Sequence, residues 1–392
     1  MLNTKFSPWP FFASDEINAV KEVLLSNKVN YWTGSECVNF EKEFANYCNT
    51  LYAVALSNGS VALELALKSM GVGPGDEVIV TARTFVASVS SILLVGATPI
   101  FVDLDKDSQN ISIESIKPAI TDKTSAIICV HLAGWPCEMD SIMELADSNG
   151  IFVIEDCSQA HGANYKGRPV GSIGHVGTWS FCQDKILTSG GEGGMITTNN
   201  ENIWKYIWSF KDHGKSYEEV HKPKKSNGFQ WLHESIGSNY HMTEMQGAIG
   251  RIQLRKLPLW NDIRTKNAKA ILNTCKQFPS MLRFPEPPYY IQHAWYKCYI
   301  FIRPEGMRAE WTRDRIIEEM NSYGLPCYSG SCPEVYLEKA FINRSLNPNN
   351  RLTKAKELGE TSLMFLVHPT LTSVEIDKTC EIISKVMRLA SI

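Results

Sequence analysis

Apolar runs long enough to cross a bilayer are missing from this sequence of 392 residues, so no membrane-spanning helix is expected. An excess of one charge is missing too. With 39 Lys and Arg against 42 Asp and Glu, the formal net charge is -3, and only Lys222 to Lys225 forms a basic cluster. That excludes the electrostatic footprint of a nucleic-acid binder. The 11 cysteines, spread from Cys37 to Cys380, contain no C-x-x-C pair and no regular spacing. Neither a disulfide framework nor a zinc site is indicated, no metal is expected, and a reducing cytoplasm is the expected compartment. The opening MLNTKFSPWPFF has no basic start, long apolar stretch or small-residue cleavage site, so no secretory leader is expected. Internal repeats and low-complexity tracts are absent as well.

What is present is an ordinary globular composition, 44% hydrophobic and 21% charged, in a chain long enough for two or three units. From Val54 to Val153 short apolar runs alternate with helical patterns. AVALSN, EVIVTA, TPIFVDL, SAIICVHL and IFVIEDC read as strands, separated by helices that include VALELALKSM and Met139 to Ser148. Such a rhythm predicts βα units and a mainly parallel sheet, whose unbroken apolar strands suit cover on both faces. A polar, Gly-containing stretch from Asp212 to Ser238 is too long for an ordinary connection and is expected to carry function. A helix beginning near Met242 runs past Leu257, and beyond Leu259 the text changes to a helix from Trp260 to Gln277, a strand WYKCYIFI and two more helices. The expected division is a large unit over residues 1–258, with 1–35 shaping its site, and a smaller C-terminal α/β unit over 259–392.

The chemistry concentrates in TWSFCQDKILTSGGEGGMITT, where a strand leads to Lys185 and then to Gly190, Gly191, Gly193 and Gly194. Clustered glycines allow the backbone unusual angles beside a ligand. Read alone, this is a surface lysine before a glycine turn. It is not a phosphate loop of the G-x-x-x-x-G-K-[ST] type, which needs its lysine after the second glycine.

Other strand ends carry matching candidates. Glu155 and Asp156 close the strand IFVIED, at the edge where α/β sheets bind ligands, although a helix cap or an ion pair would use the same acids. SNGSVALELAL ends a strand and opens a helix at Ser57 to Ser60, which makes either a phosphate site or a plain N-cap. Ser180 adds a hydroxyl near Lys185, and Phe85 in TARTFVAS is either a cover for a flat ring or core. Amine, carboxylate and phosphate cradle together are what pyridoxal phosphate (PLP) requires, because a buried carboxylate keeps its ring nitrogen protonated.

Over nearly its whole length the chain resembles the DegT/DnrJ/EryC1/StrS family of nucleotide-sugar aminotransferases. The likeness runs through SNGSVALELAL, PGDEVIV, GATPIFVDLD, VIEDCSQAHGANYKG, SFCQDKILTSGGEGGM, GSNYHMTEMQGAIG and FLVHPTLT. It implies the fold type I, aspartate aminotransferase-like architecture: α/β, with a large mainly parallel sheet plus a smaller C-terminal α/β domain. It implies PLP held as a Schiff base on Lys185, which then shuttles the proton, and pyridoxamine phosphate (PMP) in the half-reaction. Asp156 would meet the ring nitrogen, Gln159 the ring's phenolic oxygen and Phe85 the ring face. Gly59, Ser60 and Ser180 would hold the phosphate, and Asn239 would reach the cofactor of a neighbouring subunit, making a homodimer. Ser60 stands where threonine is common, Cys157 and Ser158 where alanines are, and His241 where an arginine often follows the tyrosine.

The resemblance further implies L-glutamate as amino donor and a nucleotide-linked keto sugar as acceptor. Its nearest look is to enzymes that aminate C4 of a UDP-linked 4-keto-6-deoxy-N-acetylhexosamine, the bacillosamine type. A 3-keto sugar, or a dTDP- or GDP-linked one, stays open. Trp32, in NKVNYWTG, is a candidate for the sugar side or a structural aromatic. A sugar dehydratase shares the fold, but its relatives carry histidine where this chain has Lys185. A non-catalytic regulator on the same scaffold is a further alternative. A nicotinamide oxidoreductase lacks its G-x-G-x-x-G after the first strand.

Overall fold

The computed structural model describes residues 6–223 and 228–392. Residues 1–5 of the N-terminal segment and 224–227 of the long polar stretch, with Lys224 and Lys225 of the basic cluster, lie outside the described residues.

Nine strands form in the first half: β1 (Tyr52–Leu56), β2 (Glu77–Thr81), β3 (Thr98–Val102), β4 (Thr124–Val130), β5 (Phe152–Asp156), β6 (Asn164–Tyr165), β7 (Arg168–Pro169), β8 (Val176–Ser180) and β9 (Gly194–Thr198). Seven of them make one sheet in the order β1-β9-β8-β5-β4-β2-β3. All are parallel except β9, which runs antiparallel to both β1 and β8. The apolar runs are explained by where their faces go. Along β4, Ala126, Ile128 and Val130 enter one hydrophobic cluster while Ile127 and Cys129 enter another, because successive side chains point to opposite faces. The helix Gly59–Ser69 covers the first face and the helix Met139–Asn149 the second. Each fully buried Leu or Ile contributes about 2 kcal/mol relative to exposure.

The strand order sets up the site. Since β8 and β9 lie between β1 and β5, the helix Gly59–Ser69 that follows β1 must cross over them. Its first turn therefore lands on the end of β8, so close that a Cβ on Gly59 would stand 2.7 Å from that of Ser180.

A second, antiparallel sheet has the order β10-β12-β14-β13, from β10 (Leu282–Arg283), β12 (Cys298–Ile302), β13 (Cys327–Tyr328) and β14 (Ser362–Phe365). The helices Arg313–Ser322 and Ser373–Ala390 pack on it. A short strand β11 (Ile291–Gln292) pairs with β6 and ties the two halves together. The two helices expected to either side of residue 258 are one, Glu244–Cys275, with Pro258 inside it. Its front half buries Leu254 and Leu257 among the aromatic residues under β8, and its back half buries Ala268, Ile271 and Leu272 against the second sheet. Proline removes one backbone hydrogen bond and usually breaks a helix. Here burial on both sides of an exposed Pro258 outweighs that loss.

Candidate active site

Strands β1, β2, β4, β5 and β8 all end on one edge, so Ser57, Ala82, His131, Asp156 and the loop to Lys185 start from a common rim. Asp156, the last residue of β5, is buried. Its Oδ2 accepts a hydrogen bond from the Ser88 hydroxyl at 2.9 Å and its Oδ1 one from the Ser158 N–H at 3.2 Å. A carboxylate accepts more than two, so acceptor positions remain for a ligand.

Glu155, one residue earlier, points to the opposite face and is wholly enclosed. The backbone N–H groups of Gly171, Ile173 and Gly174 donate to it, as does His131 Nε2 at 3.0 Å. Burial acts to raise its pKa, but His131 and the backbone donors outweigh that and hold the carboxyl below its ordinary value. Because Cys137 N–H donates to His131 Nδ1, the ring proton sits on Nε2, toward Glu155. Cys157 lies close enough to His131 and Glu155 to share an ion with them. The Glu155 oxygens are already occupied by four donors, which makes this a structural network.

Gln159 is buried with its Oε1 accepting from Ala133 N–H at 2.8 Å, which leaves the amide NH2 as a donor. At the helix start, Asn58 caps the N–H of Val61 at 3.0 Å. The N–H groups of Gly59 and Ser60 precede the first intrahelical acceptor, next to the Ser180 hydroxyl.

Beyond Ser180 the chain turns back on itself, with Lys185 N–H bonded to Cys182 O. The Lys185 side chain is 16% exposed, with Nζ 3.6 Å from Asp184 Oδ1 and 5.4 Å from the centre of the Tyr296 ring. From the N-terminal segment, the Trp9 indole N–H donates to Lys185 O at 2.9 Å. Asp184 also accepts from the Tyr296 hydroxyl. Burial acts to raise the Asp184 pKa, and the Lys185 charge and that hydroxyl more than offset it. Tyr296 is correspondingly raised well above its ordinary value, by burial first and then by Asp184.

Phe85 follows β2 on the same rim and is 64% exposed, an apolar ring with no cover of its own. Trp32 and Asn239 come together elsewhere, around Asp212. Trp32 Nε1–H donates to Asp212 at 3.0 Å, its ring sits edge-on to Tyr31 and Trp208, and Asn239 bridges Asp212 through the backbone. Exposed Asn239 accepts from His241 N–H at 3.3 Å, and the next carbonyl, Tyr240 O, accepts from Ser57 N–H. Sequence reasoning missed Ser88, Asp184, Tyr296 and Trp9. Only Asp184 carried a signal, as the neighbour of Lys185; the others come from distant segments.

These residues fit a pyridoxal phosphate. Lys185 supplies the amine, Asp156 a buried carboxylate with free acceptor capacity, and the Gly59–Ser60 turn an anion cradle that a bulkier residue would fill.

Comparison with known proteins agrees with this chemistry. Residues 11–384 match the model of the DegT/DnrJ/EryC1/StrS aminotransferase family. GDP-perosamine synthase of Escherichia coli O157:H7 is 34% identical, over 96% of each chain. Among solved structures, the aminotransferase from Psychrobacter cryohalolentis is 56% identical with a TM-score of 0.97, over 98% of this chain and 100% of that one. A Streptococcus pneumoniae protein solved in its PMP form is 26% identical with a TM-score of 0.88, over 99% of this chain and 100% of that one.

Proposed function

The chain belongs to the DegT/DnrJ/EryC1/StrS aminotransferase family, and from that premise we propose that it moves the amino group of L-glutamate to C4 of a UDP-linked 2-acetamido-4-keto-2,6-dideoxyhexose. The coarser statement holds without the proposal: the chain has fold type I and is a PLP-dependent sugar aminotransferase acting on nucleotide-linked keto sugars. The observation that carries the reading is Lys185, a nearly buried amine on the rim that Asp156 and the Gly59 turn also line. The ordered motifs from SNGSVALELAL to FLVHPTLT support the family, and the UDP and C4 choice rests on the chain's likeness within that family to bacillosamine-type enzymes.

When bound, the cofactor supplies an electron sink for the carbon that loses its proton. The chain supplies the rest. Lys185 Nζ would carry the proton from the donor's α-carbon to the cofactor carbon that takes up the amino group, and in the second half-reaction from that carbon to the sugar carbon that receives the nitrogen. Asp156, held by Ser88, would face the ring nitrogen, which a carboxylate partner keeps protonated. Gln159 offers its NH2, because its oxygen is committed to Ala133. Gly59, Ser60 and Ser180 hold the phosphate, and Phe85 covers one ring face. Asn239, exposed in one chain, reaches the phosphate of a second, so the working unit is a homodimer in the cytoplasm. Trp32 borders the sugar side through its place on Asp212.

A second reading is favoured by the E. coli relative, a GDP-perosamine synthase: the sugar is GDP-linked. The deciding experiment is a screen of glutamate-dependent amination across UDP-, GDP- and dTDP-linked 4-keto and 3-keto sugars. The UDP-linked 4-keto N-acetyl sugar is expected to give the highest kcat/KM. A GDP-linked sugar in that place would replace the first reading with the second.

A further inference from the structure

Between the turn after β4 and strand β12 lies a small pocket whose walls include Ala133, Trp135, His293, Trp295, Lys297 and Gln109. Its interior measures about 10 Å³, room for a single oxygen, so that a carboxylate enters by one oxygen from the mouth, and far too little for a diphosphate. It adjoins the reaction centre on two sides. Ala133 is the residue whose N–H holds Gln159, and Lys297 lies 4.8 Å from the centre of the Tyr296 ring that Lys185 also approaches.

The polar groups of this pocket are unusually short of partners. Lys297 makes no ion pair or hydrogen bond among the described residues, although it is largely buried. Burial first, and then the nearby charge of Arg264, pull its pKa down to about 8. Arg264 is itself 1% exposed; among the described residues its Nε has no partner, and the guanidinium makes long contacts to two backbone carbonyls and lies 5.1 Å from the centre of the Trp9 ring. Gln109 is buried with Oε1 unpartnered, and the other rotation of its amide presents N–H in the same place. Trp295 N–H donates to His293 Nδ1 at 2.7 Å, so the neutral ring carries its proton on Nε2. Asp107, on the same wall, is already paired with Arg283 at 2.7 Å. Among the described residues Asp184 is the acid whose charge acts on both Lys185 and Lys297, and it is occupied by Tyr296 and Lys185. Uncompensated buried cations are costly, which makes this a place for an incoming anion.

We propose that Lys297, with Gln109 and His293 beside it, binds the side-chain carboxylate of the amino-acid donor. This rests on the aminotransferase reading. A dicarboxylic donor with its α-carbon at Lys185 carries its second carboxylate at the end of a short alkyl chain, within reach of the pocket. A donor without that group leaves Lys297 unpaired, so the site selects glutamate over alanine.

The test compares the loaded wild type with Lys297→Met, which keeps the stem and removes the charge, and Lys297→Arg, which keeps the charge. Each is titrated with glutamate and with alanine while the cofactor's absorbance is followed, and KM is then measured for donor and nucleotide sugar separately. In Lys297→Met the glutamate midpoint and KM are expected to rise about tenfold to a hundredfold, as for a lost charged hydrogen bond. The alanine response, the sugar KM and cofactor uptake should stay at wild-type values, and Lys297→Arg should recover part of the loss. An unmoved glutamate midpoint, or a rise in the sugar KM instead, overturns the proposal. A wild type that takes up no PLP or ignores every amino acid would instead refute the aminotransferase reading.

Discussion

Glu155 and Asp156 share a peptide bond and have opposite fates. The alternation of a strand turns Glu155 into a ring of backbone donors and His131, where it holds the loop Gly171–Gly174, and turns Asp156 toward the rim. Both readings of the pair were open in the sequence; the ion-pair reading describes Glu155, and Asp156 is the acid proposed for the ring nitrogen. Lys185 is the residue whose loss is the most informative. It packs loosely against Tyr296 and Asp184, and it supports the fold mainly through its backbone bonds to Cys182 and Trp9, which a substitution leaves in place. Lys185→Ala is therefore expected to unfold within about 1 kcal/mol of wild type while losing turnover entirely, together with the visible-edge absorption of the PLP-loaded protein. Steady catalytic cycling by this variant would remove the central assignment.

At the scale of elements, the helix Gly59–Ser69 is the proposed phosphate cradle because of where it begins. Its first turn is pressed onto Ser180, and only a residue without Cβ fits, since that atom would lie 2.7 Å from the serine's. Gly59→Val should displace the helix start at a cost of about 1–3 kcal/mol, most of it in the bound state. PLP titration should show cofactor affinity reduced by at least tenfold, with circular dichroism little changed. Undiminished affinity would move the phosphate away from this turn. The strands β1 to β5 and their helices were legible because their periodicity and length left few options. The helix Glu244–Cys275 was not, because Pro258 and a change of composition mimic an end. Only the cores on both sides show why it continues.

On the scale of the whole molecule, buried histidines make a prediction about acid. His161, His293 and His368 are each pulled down to about 3, and His241 to about 4, in every case chiefly by burial. The unfolded chain takes up these protons near pH 6.5 and the folded chain does not. The stability they contribute is thus complete above pH 6.5 and lost progressively as pH falls toward 3, by up to about 2 kcal/mol per residue at pH 5. Glu155 and Asp184, held low in the fold, add to the same trend below pH 4.5. Melting temperature should fall steadily from pH 7 to pH 5, whereas a flat profile would mean that the folded protein accepts those protons. By itself the sequence determined the parallel α/β layering, the order of the motifs and the chemical identities of Lys185, Asp156 and the Gly59–Ser60 turn. Those follow from local periodicity and from side-chain chemistry, which need no neighbours. Tertiary structure alone decided which acid faces the rim, that Trp9 and Tyr296 close around Lys185, and that Lys297 makes no ion pair among the described residues. Such facts depend on segments far apart in the chain meeting at one edge, where burial sets the cost of every unpaired charge.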